Sequence, residues 1–153
     1  MKSVFAIAAA TLALSAPAFA EGDAEAGKKG FNKCKACHTI ADTEGNVLLK
    51  GGKTGPNLYG VVGRVAGSED FKYGPGLMDA NAAGFVWTAE ELVAYSADPK
   101  KWLSGQGFAA KSKMSYKLKK GGEDVVAFLI SVGPEMPAED AAAEDTTEST
   151  TSD

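Results

Sequence analysis

Residues 34–38 read Cys34-Lys35-Ala36-Cys37-His38, two thiols separated by two residues and followed at once by an imidazole. They are the only cysteines and the only histidine in the 153 residues. A thioredoxin-like dithiol needs a βαβ setting, which the flanking sequence does not offer. A structural zinc needs four ligands, and no further cysteine or histidine completes a tetrahedron. A plain disulfide leaves the adjacent histidine without a purpose. The arrangement that uses all three side chains is c-type haem attachment: each thiol adds across a vinyl group, and the histidine reaches the iron from the same side.

A second axial ligand must then come from elsewhere in the chain. With one histidine, bis-histidine ligation within the chain is excluded, and the usual alternative is a methionine thioether, which favours a high reduction potential. Of the four methionines, Met1 belongs to the leader and Met136 to an acidic terminal stretch, leaving Met78 and Met114. Methionine more often fills gaps in a core. Met114, however, stands between Lys113 and Ser115 in a polar stretch where core filling explains little, and it is the stronger candidate of the two.

Residues 1–20 have the form of a secretory signal. Lys2 supplies the positive start, Val4 to Ala16 the apolar run, and Ala18-Phe19-Ala20 the cleavage pattern, so the mature chain is expected to begin at Glu21. The apolar run is too short to span a bilayer, and no later stretch approaches that length. The mature protein is therefore expected outside the cytoplasm, in the periplasm of a bacterium, without membrane insertion. Residues 134–153 carry seven acids and no base, and their Ser, Thr, Ala, Glu and Asp composition reads as a disordered tail. The overall charge of -4 thus divides into this acidic tail and a body, residues 21–133, of about +2 by count.

The body reads as one domain of short helices and glycine-rich loops. Asp23 caps a helix running toward Lys33 that sets Ala24, Gly27 and Phe31 on one face, Gly27 marking a close crossing. From Thr39 to Gly84 turn signals recur and periodicity is poor. Thr88 and Glu91 form a capping-box pattern for a helix that stops before Pro99, and Lys100 to Leu103 suit another short turn. A last helix from about Glu123 to Val132 buries Val125, Val126, Phe128, Leu129 and Val132. Side chains so distributed make a thin core, which a large flat apolar cofactor would complete.

In order along the chain, several motifs surround the haem site: Gly27 and Phe31, Thr54-Gly55-Pro56-Asn57-Leu58, Gly63-Arg64, Phe71 and Tyr73, Trp87, Tyr95, Asp98-Pro99-Lys100-Lys101, Lys113-Met114 and Phe128. From Gly22 to Val132 the chain resembles the class I cytochromes c, in particular the mitochondrial-like periplasmic cytochromes of bacteria. The resemblance implies an all-α fold wrapped around one covalent haem held by Cys34 and Cys37, with iron ligated by His38 and Met114. It implies that the Pro56 carbonyl accepts the His38 ring N–H, and that Tyr73 and Trp87 hydrogen-bond a buried propionate whose charge Arg64 offsets. Tyr95 is implied to lie near the methionine sulfur. It further implies a monomeric one-electron carrier rather than an enzyme, docking to acidic surfaces of membrane redox complexes and not to nucleic acid. The donor would be of the bc1 type and the acceptor an oxidase, photosynthetic reaction centre or peroxidase. One departure is that the stretch from Leu103 to Lys111, leading to Met114, is longer than in mitochondrial relatives.

Overall fold

The computed structural model describes residues 22–134. The signal segment expected at 1–20 and the acidic stretch after Pro134 lie outside the described residues.

Helix α1 spans Ala24–Gly30 and continues as a 3-10 turn over Phe31–Lys33. It starts at Asp23 because that carboxylate accepts from the backbone N–H groups of Glu25 and Ala26, at 2.8 and 3.1 Å, satisfying donors that a helix start leaves unpaired. The Asp23 N–H itself donates to Oδ1 of Asp124 at 2.9 Å, in helix α5, Gly122–Val132. Gly27 faces the α5 backbone so closely that an added Cβ would lie 1.8 Å from the Asp124 carbonyl oxygen. Phe31 and Phe128 close the same crossing with ring centroids 5.7 Å apart. Gly27 thus marks a close helix crossing, as expected, and its partner is the last helix.

Helix α3, Ala89–Ala97, begins where Thr88 Oγ1 accepts from the Glu91 N–H at 3.2 Å. Asp98 ends it and caps α4, Pro99–Gly105, with Pro99 in the first turn, where its missing N–H costs nothing. Trp102 of α4 stands within 5.4 Å, centroid to centroid, of Phe85, Trp87 and Tyr95, so one aromatic cluster joins α3, α4 and the strand-like stretch before α3. Helix α5 buries Val125, Val126, Phe128 and Leu129, while Val132 is only partly covered.

Two features depart from the sequence reading. The stretch taken as continuous loop contains helix α2, Pro75–Ala82, in which only Gly76 and Ala80 are buried. It also contains a hairpin of β1, Ile40–Ala41, and β2, Val47–Leu49, so the helical fold carries one small antiparallel ribbon. Among the described residues no helix is long and apolar enough to cross a membrane.

Candidate functional site

A cavity of about 280 Å³ opens between these elements. Its walls are largely aliphatic and aromatic, with Leu58, Val61, Leu77, Leu92, Val126 and Leu129 among them. All nine residues expected at the haem line it: Cys34, Cys37, His38, Pro56, Arg64, Tyr73, Trp87, Tyr95 and Met114. Met78, the other candidate thioether, does not; it lies 47% exposed on α2.

His38 is fixed by its surroundings. Its Nδ1 lies 2.8 Å from the Pro56 carbonyl oxygen. A carbonyl can only accept, so Nδ1 carries the proton and Nε2 keeps a free lone pair. Burial holds the imidazole below its ordinary pKa, the Pro56 hydrogen bond pulling the other way, and the ring is thus kept neutral as a metal ligand must be. Glycines bring the backbone hard against this unit. A Cβ on Gly55 would sit 2.4 Å from His38 Cε1, one on Gly51 1.8 Å from the His38 carbonyl oxygen, and one on Gly52 2.2 Å from that of Ala36. Asn57 anchors the same loop, its side chain accepting from Ala41 N–H and donating to the Ala41 carbonyl at 3.0 and 2.7 Å.

Cys34 and Cys37 are free thiols, the first half-buried and the second exposed. Burial pushes the Cys34 thiol up, with Lys33 lowering and Cys37 raising it more weakly. Arg64 is held by the carbonyls of Tyr59 and Asn57 at 3.0 and 2.9 Å and pairs with Glu69 at 2.7 Å. Tyr73 is half-buried, and burial raises its phenol against the pull of Arg64. The Tyr95 hydroxyl meets Ser112 Oγ at 3.1 Å, and that oxygen accepts from the Met114 N–H at 3.1 Å. Tyr95 is therefore linked to the Met114 backbone through Ser112, a residue the sequence did not single out.

The donor set suits a covalent haem: two thiols beside a neutral imidazole, a thioether on the same cavity, and walls that are largely apolar. Comparison with known proteins points the same way. No family model matches the chain. Cytochrome c-551 of Roseobacter denitrificans is 52% identical over 134 residues, covering 86% of this chain and 96% of that protein. Cytochrome c2 of Rhodobacter capsulatus is 51% identical over 133 residues, covering 85% and 96%. The solved structure of the latter superposes with a TM-score of 0.70 over 72% of this chain and 98% of its own. The ferric cytochrome c-550 structure from Paracoccus versutus gives 0.70 at 52% identity, over 74% and 100%. The chain belongs to the class I c-type cytochromes, soluble electron carriers that hold one haem c covalently.

Proposed function

We propose that the mature protein is a periplasmic one-electron carrier, moving between a bc1-type donor and an oxidase, reaction-centre or peroxidase acceptor. Cys34 and Cys37 attach the haem, and His38 and Met114 ligate its iron. The observation that carries this reading is the convergence of all nine expected residues on one apolar cavity, with Met114 inside and Met78 outside it. When bound, the haem supplies a reversible ferric/ferrous couple.

The protein's part is to hold that couple still. Pro56 fixes the His38 tautomer and orients the ring, as outer-shell partners of metal-binding histidines do. Met114 would give a soft ligand that favours the reduced ion, and with His38 and Met114 both held to the iron no open position would be left for a substrate. Tyr73, Trp87 and Arg64 supply polar groups for propionates within a largely apolar wall. Six exposed lysines, 33, 35, 53, 111, 113 and 117, lie in or beside cavity-lining segments, and exposed Lys100 and Lys101 add to them from α4. They form the positive surface that steers an acidic partner into a small, quickly released interface.

The ligand assignment is tested by the ferric methionine-to-iron absorption band. It is expected to vanish in Met114→Ala, with a fall in reduction potential, and to persist in Met78→Ala. A Met114→Ala protein that keeps both band and potential would refute the assignment.

A further inference from the structure

The stretch from Leu103 to Lys111 that leads to Met114 is held on its outer side by several contacts. Phe108 packs toward Phe85 and Trp102, at 6.1 and 6.2 Å between centroids, and its N–H donates to the Leu103 carbonyl at 2.9 Å. Glu91 of α3 accepts from the Trp102 indole N–H and from the Gln106 amide. From there the chain turns along α2, where two residues three positions apart hold it. The Gly76 N–H donates to the Lys111 carbonyl at 3.1 Å, and Asp79 Oδ2 accepts from the Ala109 N–H at 2.9 Å. The approach is close: a Cβ on Gly76 would lie 2.2 Å from the Ala109 carbonyl oxygen. Three residues beyond Lys111 stands Met114.

We infer that Asp79 is a positioning residue for Met114, acting through the segment Ala109–Lys111, which it pins to α2. The inference rests on Met114 being the iron ligand. α2 contributes Leu77 to the cavity wall, while Asp79, which does not line the cavity, bonds the segment that must swing if Met114 is to leave the iron. An external ligand binds the iron only when that segment has moved, so its apparent affinity carries the cost of releasing the segment. Removing one carboxylate that holds it lowers that cost directly.

The test is imidazole titration of the ferric holoprotein, followed by loss of the methionine-to-iron band. Asp79→Ala is expected to bind imidazole about tenfold more tightly than wild type, the worth of one charge-assisted hydrogen bond. Asp79→Asn, which keeps an acceptor oxygen, is expected to recover most of the wild-type affinity. Asp79 is exposed, so its truncation leaves the buried core in place. Asp124→Ala serves as the comparison, because it removes a similar carboxylate-to-backbone bond between α1 and α5. It should lower stability while leaving imidazole affinity unchanged. Wild-type affinity in Asp79→Ala, or an equal shift in Asp124→Ala, would overturn the inference. Retention of the band in Met114→Ala would instead overturn the ligand assignment beneath it.

Discussion

The two sides of the cavity are held by different means. Around His38 the chain is fixed chiefly by close approach, Gly51 and Gly52 against the backbone of His38 and Ala36 and Gly55 against the His38 ring, leaving no room for even a methyl group. Around Met114 the approach of Gly76 to Ala109 is joined by several side chains reaching across elements: Asp79 to Ala109, Tyr95 through Ser112, and Lys117 to Asp98 at 2.6 Å. Backbone complementarity has no graded intermediate, because small displacements bring hard overlap. Partly exposed side-chain bonds break one at a time and at modest cost. The histidine side is thus the fixed wall and the methionine side the one that yields.

The largest effect is expected from a methyl group placed on the histidine side, set against the same change at a glycine with open space around it. Gly51→Ala should cost about 4 kcal/mol or more, since the added carbon meets backbone that cannot retreat. Gly105→Ala, at the end of α4 with nothing within 4 Å of the new carbon, should be neutral or gain up to about 1 kcal/mol through helix propensity. Denaturant melts of the two holoproteins decide the matter, and comparable losses would remove the distinction.

Acid should act next on the methionine side. The Asp98 carboxyl, held down chiefly by its hydrogen bond from Lys117, keeps its contribution above pH 3.8 and loses it as pH falls further. The difference in unfolding midpoint between wild-type holoprotein and Lys117→Gln should therefore shrink as pH falls below 3.8. A difference independent of pH down to pH 3 would contradict this.

The smallest effect concerns docking. Replacing Lys33 and Lys53 by glutamine, or Lys111 and Lys113, should each slow electron transfer to an acidic partner by roughly two- to threefold at low salt, with little change at high salt. Stopped-flow rates across a salt series would show which side contributes more, and rates independent of ionic strength would reject steering by either.

Much of the fixed wall was legible in the sequence because its determinants are contiguous. Cys34 to His38 form one run, and Thr54-Gly55-Pro56-Asn57 carries its own turn chemistry. Met114 was legible by elimination and resemblance, but what holds it was not. Asp79 lies 30 residues from Ala109, and Tyr95 lies 17 from Ser112, so no spacing rule connects them. Helix α2 escaped notice for a related reason. It buries only a glycine and an alanine, leaving little apolar periodicity to read. The ribbon of β1 and β2 is too short for strand alternation to register.

The crossing of α1 and α5 bears on how the protein matures. Its Asp23–Asp124 bond spans 101 positions, so it can close only after the whole intervening chain is available. A chain delivered amino end first presents both thiols while the helix that will cover Gly27 has yet to arrive. Until then nothing of α5 stands over the segment that carries them, and the two thiols are open to ligation chemistry.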